Sequence, residues 1–176
     1  MFKKILCVML SALMLVSIAA CGKTEDETQT PAVYEGTLED LAAAIYEKHP
    51  IEAMMGPTTQ IDLTSPDNTG YYLGITDVSA VKEAVFSEPM IGSIPYSLCL
   101  VRVKEDADIA AVKQSIFDGI DTRKWMCVEA DNLVVASCAD IVLMVMTNKE
   151  QGETLSQDLC AAFAEIVGGE VSKLEK

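Results

Sequence analysis

Cys21 is the residue whose neighbours specify its chemistry most clearly. It ends the segment Ile18-Ala19-Ala20-Cys21, which has the form of a lipobox. Small residues before the cysteine let a peptidase fit an extended backbone around the bond that follows Ala20. The thiolate of Cys21 can take a diacylglyceryl group as a thioether before that bond is cut. The spacing therefore predicts signal cleavage between Ala20 and Cys21 and lipidation of Cys21.

The residues before Cys21 support this interpretation. Lys3 and Lys4 precede a nearly unbroken apolar run of 16 residues, 5–20, which is shorter than the ~20 residues that a helix needs to cross the hydrocarbon core. A basic start, a short apolar middle and small residues at the end are typical of a secretory signal. We predict a signal peptide over 1–20; an uncleaved membrane helix and a signal cut elsewhere are the alternatives.

Two further patterns could support catalysis. Ser79-Ala80-Val81-Lys82 matches the S-x-x-K nucleophile motif, in which the lysine lies one helical turn from the serine and activates it. The chain has neither of the motifs that accompany S-x-x-K, so the start of a short helix is the preferred interpretation. His49 is the one histidine and could serve a Ser-His-Asp triad. Its position before Pro50 instead predicts a helix end, where it favours the negative end of the dipole.

Arg102, Arg123 and Trp125 form the most interesting binding candidates. The chain has two arginines against 27 acidic residues, so a positive spot would be conspicuous. An arginine beside an aromatic ring can grip a carboxylate or a sugar-like ligand. The alternative, which we favour, is that Trp125 closes the edge of the core while Arg123 pairs with a local carboxylate.

Cysteine and acidic patterns argue against a bound metal or cofactor. The cysteines beyond the signal segment and Cys21 form no C-x-x-C pair, and one histidine is too few for the usual zinc sites. Each lies in the domain, and disulfides and buried free thiols both remain open for them: Cys99, Cys127, Cys138 and Cys160. Asp62, Asp67 and Asn68 offer oxygen ligands but lack EF-hand spacing, so turn chemistry explains them better. Core filling explains the methionines better than soft-metal binding does: Met54, Met55 and Met90.

The acidic charge restricts the partners. The whole chain carries −14 at pH 7, and loss of Lys3 and Lys4 with the signal brings it near −16. Such a surface repels phosphate backbones and anionic lipid head groups. We therefore expect no nucleic-acid partner. We also expect the lipid on Cys21, rather than the protein surface, to hold the protein at the membrane.

The remaining sequence predicts a tether and one domain. Residues 21–36 are polar, acidic and interrupted by Pro31, which predicts a flexible lipidated tether. Residues 37–172 read as one α+β domain. Its first part reads as a helix opened by Thr37 and ended at His49, a turn at 65–70, a β-like stretch at 71–76, a short helix at 77–84 and an extended segment at 85–93.

The second part of the domain is easier to interpret. We predict a strand at 96–103, a helix capped by Asp106, an extended piece at 125–128, two strands at 133–137 and 141–147, and a helix opened by a capping box at 154–157 and ended by Gly168-Gly169. This order predicts a small single α+β domain with an antiparallel or mixed sheet and helices packed on one face.

Part of the chain resembles a known family. The segment SLCLVRVKEDADIAAVKQSIFDGIDTRKWMCVEADNLVVASCADIVLMVM, 97–146, and the upstream YYLGITDVSAVKEAVFSEPMIG, 71–92, are similar to the bacterial lipoproteins of domain of unknown function 4358. The resemblance covers about 70–146. It implies an envelope lipoprotein of low-GC Gram-positive bacteria and supplies no catalytic residues.

These observations predict a membrane-anchored lipoprotein on the extracytoplasmic face of the cell membrane. We expect a non-catalytic binding or interaction module whose partner is an envelope protein or a cell-wall component. The alternatives are an envelope hydrolase that uses Ser79 and Lys82 or an acidic pair, and a small solute-binding lipoprotein.

Overall fold

The computed structural model describes residues 33–53 and 55–176. The predictions for the signal peptide, for Cys21, for most of the tether and for Met54 lie outside these residues. The helices are α1 (Leu38–Lys48), α2 (Pro66–Leu73), α3 (Ile109–Gly119) and α4 (Leu155–Val167), with a short 3-10 helix at Lys149–Gln151. The strands are β1 (Thr59–Gln60), β2 (Val81–Ser87), β3 (Ser97–Val103), β4 (Asn132–Cys138), β5 (Ile141–Thr147) and β6 (Ser172–Glu175).

The strands form one six-stranded antiparallel sheet in the order β1-β2-β3-β5-β4-β6. This confirms the small α+β domain and decides for the antiparallel form of the sheet. Every residue of β3 and β5 is buried, because both faces of these central strands are apolar. Both faces must therefore be covered.

The helices cover both faces of the sheet, rather than the one face that we expected. Helices α1 and α4 pack on the face that includes Leu98, Leu100 and Leu143. Helices α2 and α3 pack on the face that includes Val101 and Met144. The physical reason is the full burial of β3 and β5, which leaves neither face free for solvent.

The segment 66–73 is a helix, so the predicted turn and β-like stretch there were wrong. The Ser65 side chain accepts a hydrogen bond from the Asn68 backbone N–H, and Pro66 occupies the first turn of α2. Gly74 ends α2 in the left-handed conformation. Serine followed by proline and an acidic residue is a helix-start signal, and it competes with the turn interpretation that we preferred.

The predicted helix over 77–84 is also wrong. Asp77 accepts a hydrogen bond from the Ser79 backbone N–H, which forms a side-chain-supported turn at that point. From Val81 the chain runs as strand β2 and pairs with β3, with an irregular register between Val81 and Glu83. Pairing with a central strand outweighs the weak local helix preference of this short segment.

Smaller differences concern caps and turns. Helix α3 is capped by Asp108 rather than Asp106, and residues 125–128 form a loop rather than an extended strand. Helix α4 begins and ends where predicted, but Thr154 makes no capping hydrogen bond with the backbone and binds the Asp158 carboxylate instead. In the described residues, no helix has both the length and the apolar character needed to span a bilayer.

Candidate interaction surface

A buried ion pair joins the loop after α3 to the end of β2. Lys124 Nζ lies 2.6 Å from Glu88 Oε1, and it also donates a hydrogen bond of 3.2 Å to Ser97 Oγ. The Lys124 side chain is 3% exposed and that of Glu88 is 16% exposed. Charges that are so far removed from water persist because each one neutralises the other.

Three aromatic rings surround the same ammonium group. Lys124 Nζ lies 4.5 Å from the centroid of Tyr71, and 5.2 Å from each centroid of Tyr72 and Trp125. Tyr72 in turn stacks on Phe86 of β2, with centroids 3.9 Å apart. Rings at these distances attract a cation through their quadrupoles. The ammonium therefore contacts residues from three separate parts of the chain: helix α2, the end of β2 and the loop after α3.

Helix α2 brings the two tyrosines to this position. Its C-terminal Gly74 has φ +71° and lies directly against Gly119 and Ile120 at the end of α3. A side chain at Gly74 would meet the backbone of both residues. This close approach explains glycine there, and it places Tyr71 and Tyr72 beside the loop that carries Lys124.

The loop 120–131 is held by its own backbone. Asp121 accepts a hydrogen bond of 2.8 Å from the Arg123 backbone N–H, and Ala130 N donates to Thr122 O at 2.9 Å. Cys127 adopts a left-handed conformation with φ 65°. These contacts turn the chain so that Lys124 and Trp125 face the sheet while Met126 faces solvent.

Apolar side chains are exposed around this pair. Four of the five large hydrophobic side chains that are exposed in the described residues belong here: Tyr71, Met90, Ile91 and Met126. Tyr71 contacts the Lys124 ammonium, and Met126 follows Lys124 by two residues, which keeps their Cα atoms within about 7 Å. Ile91 follows Glu88 by three residues, a reach of at most about 11 Å. We call these four residues, together with the neighbouring buried Glu88–Lys124 pair, the Lys124 surface.

Burial and negative charge act together on the tyrosines of this surface. Burial raises the pKa of Tyr71, and the Glu88 carboxylate raises it further. The same two causes raise the pKa of Tyr72. Both phenols therefore stay neutral at physiological pH, and their rings interact with Lys124 as neutral aromatics.

Arg102 lies elsewhere and is engaged inside the fold. Its side chain is 7% exposed, and it donates to Glu83, to Asp140 and to the carbonyls of Tyr34 and Gly36 at 2.6–2.8 Å. Burial lowers its pKa, but the bonds to Glu83 and Asp140 outweigh this effect and raise it. Arg102 lies five positions along β3, about 17 Å, from Ser97, which contacts Lys124. The predicted ligand contacts therefore do not form one site.

The Arg102 contacts also concern the predicted tether 21–36. Its last four residues, 33–36, are described, and they are bound to the domain rather than free of it. Besides the two carbonyl contacts, the Tyr34 backbone N–H donates to Asp140 at 3.2 Å. The guanidinium and Asp140 together fix this segment at the ends of β3 and β5.

Arg123 and Trp125 lie together beside the Lys124 surface. Arg123 Nε is 3.2 Å from Glu129 Oε2, and Trp125 is buried in the core on the α2–α3 face. Both are arranged as in the alternative that we favoured. They also line a hollow of about 290 Å³ with Cys127, Val128 and Glu129.

Ser79 and Lys82 do not share a helical turn. Ser79 lies in the turn before β2, where its carbonyl accepts a 2.6 Å hydrogen bond from Lys104 Nζ, and Lys82 is an exposed residue of β2. The described residues contain no hydrogen bond between the two side chains. The arrangement that the S-x-x-K motif requires is not formed.

His49 caps the end of α1, as its position before Pro50 predicts. Its Nε2 lies 3.6 Å from Asp158 Oδ2. A cleft of about 480 Å³ adjoins it, with walls from 49–53, 93–95 and the 3-10 helix. This volume suits a small ligand.

The cysteines that the sequence left open are free thiols. Cys99, Cys138 and Cys160 are buried, and Cys127 is exposed. Burial raises the pKa of Cys99 to about 12. Within 33–53 and 55–176, no group of three or more His, Cys, Asp or Glu side chains is placed to hold a metal ion.

Sequence reasoning missed Lys124, Glu88 and Tyr71. The sequence analysis assigned no role to Lys124 or Glu88, and it placed Tyr71 at the start of a β-like stretch. The signal available in the sequence was the pair of adjacent tyrosines, Tyr71 and Tyr72, shortly before Gly74.

Comparisons with protein-family models, with curated proteins and with solved structures find no match to this chain.

Proposed function

We propose that this protein is a non-catalytic interaction module of the cell envelope, anchored by lipid on Cys21 and docking a partner protein through the Lys124 surface. The lipobox and the resemblance of 70–146 to the lipoprotein family support the anchor. In this proposal the domain faces the extracytoplasmic side of the cell membrane. The exposed Arg123 lies at the rim of the docking surface, and the buried Trp125 supports that rim from the core.

The observation that carries the proposal is that four exposed apolar side chains lie close together, next to one buried ion pair. Exposed apolar side chains that are clustered, rather than scattered, mark interaction sites. Tyr, Trp, Met and Arg are the residue types enriched at protein interfaces. The Lys124–Glu88 pair and the three rings fix the aromatic part of this surface, which reduces the ordering cost of binding there.

The positions of the candidate catalytic groups support a binding function rather than hydrolysis. Ser79 lies in a turn and Lys82 on a strand, and His49 faces one carboxylate at a helix end. The cleft beside His49 favours a second candidate function, binding of a small solute.

Site-specific cross-linking in intact cells tests the proposal. A photo-reactive amino acid replaces Met126 in the lipidated full chain, and the matched control carries it at Ala43, an exposed position of α1 on the other side of the sheet. We expect a discrete protein adduct from Met126 that is absent from Ala43. Equal adducts at both positions, or none at Met126, would contradict the proposal.

The anchor is tested separately by fractionation. We expect the native chain in the membrane fraction and a Cys21→Ser chain outside it. A Cys21→Ser chain that stays with the membrane would contradict lipid anchoring through that residue.

A further inference from the structure

We infer that the partner presents apolar anchor residues flanked by lysine or arginine, so that the Lys124 surface binds a cationic, apolar-centred protein segment. This inference rests on the proposed function and names the chemistry of its partner. Three observations support it: the unpaired carboxylates at the surface, the negative charge of the whole domain and the apolar character of the exposed side chains.

The positive charges near the surface are already neutralised. Lys124 is buried against Glu88 at 2.6 Å, and Arg123 pairs with Glu129 at 3.2 Å. Burial keeps Lys124 from any partner outside the fold, and Arg123, although exposed, already faces a carboxylate of its own chain. Both cations that the structure describes at this surface lie against carboxylates, which disfavours an anionic wall polymer or a phosphate-bearing ligand.

Two carboxylates at the rim remain without a cation. Asp67 lies one helical turn before Tyr71 on α2, so the two side chains are neighbours on the helix surface. Asp121 lies three residues before Lys124 and accepts only a backbone N–H. In the described residues, neither Asp67 nor Asp121 forms an ion pair. Both are exposed and available to a cationic partner.

The charge of the whole domain acts in the same direction. Residues 33–176 contain 24 acidic and 10 basic residues, a formal charge of −14. Such a field steers cationic partners toward the protein and repels anionic ones. It also opposes docking of a second copy of this chain and insertion into an anionic bilayer.

The exposed side chains suit an apolar anchor. Met126 is 85% exposed, and Met90 and Ile91 are also largely open to solvent. Methionine side chains adapt to apolar groups of different shape. Tyr71, on the same surface, is 41% exposed, and its ring centroid lies 4.5 Å from Lys124 Nζ. A rigid ring with flexible neighbours can accept a leucine or an aromatic residue from a partner.

Cross-linking in isolated native membranes tests the charge of the partner. The lipidated full chain carries the photo-reactive amino acid at Met126, and Asp67→Asn with Asp121→Asn removes the two rim charges while it keeps hydrogen-bond acceptors. The matched control, Glu47→Gln with Glu150→Gln, removes two exposed charges elsewhere. We expect the adduct yield to fall about five-fold in the first pair and to stay unchanged in the control.

Salt gives an independent readout. Raising the salt to about 0.5 M should lower the Met126 adduct strongly, because exposed charges are screened at that ionic strength. An adduct that is insensitive both to the Asn pair and to salt overturns the cationic partner and leaves the proposed function standing. If the otherwise native chain forms no adduct at Met126, both the cationic partner and the proposed function are overturned.

A membrane occupant is distinguished by vesicles. Residues 21–176 with Cys21→Ser, which carry neither the signal segment nor the lipid, are mixed with phosphatidylcholine vesicles and floated. We expect no co-flotation. Co-flotation that Met126→Asp abolishes would assign this surface to the bilayer and overturn the inference.

Discussion

Lys124 Nζ lies 2.6 Å from Glu88 Oε1, and this contact links the loop after α3 to the end of β2 across 36 positions of sequence. Neither residue belongs to a motif, and each charge would be costly in its position without the other. The Lys124 ammonium also lies 4.5 Å from the Tyr71 centroid and 5.2 Å from that of Trp125, so the pair joins both rings to the apolar surface.

Removing Lys124 should destabilise the protein strongly. In Lys124→Met the Glu88 carboxylate stays largely buried without a partner, and we expect a loss of about 3–5 kcal/mol in the free energy of unfolding. Urea unfolding followed by circular dichroism measures it. The matched control is Lys48→Met, which breaks the exposed Lys48–Glu165 pair and should cost less than about 1 kcal/mol. Equal effects of both substitutions would refute the structural role of the buried pair.

Replacing Arg102 should release the segment 34–36. Lysine cannot reproduce the fork that binds Glu83, Asp140 and two carbonyls, so Arg102→Lys should lose on the order of 3 kcal/mol. Hydrogen exchange should accelerate at the Tyr34 amide, which is bonded to Asp140. Arg123→Lys, at an exposed pair, serves as control and should leave that amide protected. Unchanged protection in Arg102→Lys would show that the guanidinium does not hold this segment.

Two glycines of one helical region should respond in opposite directions. Gly74→Ala forces a side chain into a left-handed conformation against the end of α3, and we expect it to destabilise the protein by more than about 2 kcal/mol. Gly70 lies inside α2, and a Cβ there meets nothing within 4 Å, so Gly70→Ala should stabilise by about 0.5–1 kcal/mol. Thermal unfolding of the two variants checks this. A stable Gly74→Ala protein would contradict the close approach of α2 to α3.

Stability should decrease at alkaline pH. Burial raises the pKa of the Cys99 thiol from 9.0 to about 12, and burial raises the pKa of Tyr96 well above its usual value. Above about pH 9 the unfolded chain loses protons that the folded chain keeps, so stability is complete below that pH and falls as pH rises toward 12. The unfolding free energy, measured against pH, should fall less steeply in Cys99→Ala and equally steeply in the control Cys127→Ala.

Thiol labelling should separate Cys127 from the other three cysteines. The thiolate is the reactive form, and burial raises the pKa of Cys99, Cys138 and Cys160. Iodoacetamide at about pH 8 should label the exposed Cys127 in the folded protein within minutes, and the buried three only after denaturation. Peptide mapping measures the adducts. Rapid labelling of Cys99 would contradict its burial.

Strong local patterns explain which elements could be predicted. The β4–β5 hairpin follows from two apolar runs joined by a short turn, and α1 from its Thr37 cap and helical spacing. The segment 66–84 could not be assigned this way. Its helix-start and turn signals overlap at Ser65-Pro66, and the strand after Ser79 depends on pairing with β3, which is distant in sequence.

The candidate site was only partly predictable for a related reason. Arg123 and Trp125 were identified because arginine and tryptophan are rare in this chain. Arg102 was identified on the same ground, but its role depends on carbonyls of residues 34 and 36 and on carboxylates from two strands. These contacts join residues that are far apart in sequence, so the spacing of residues along the chain does not reveal them.

The sequence by itself determined the acidic charge, the type of most elements and the apolar character of both faces of β3 and β5, because these depend on composition and on contacts between near neighbours. Only the tertiary structure decided that helices cover both faces, that Arg102 binds the segment 34–36, and that Lys124 and Glu88 meet beside the Tyr71 ring. Those arrangements arise from contacts between residues tens of positions apart. The stabilising free energy comes from burying paired charges and aromatic rings together. A short segment of sequence cannot supply it, because the partners lie in other parts of the chain.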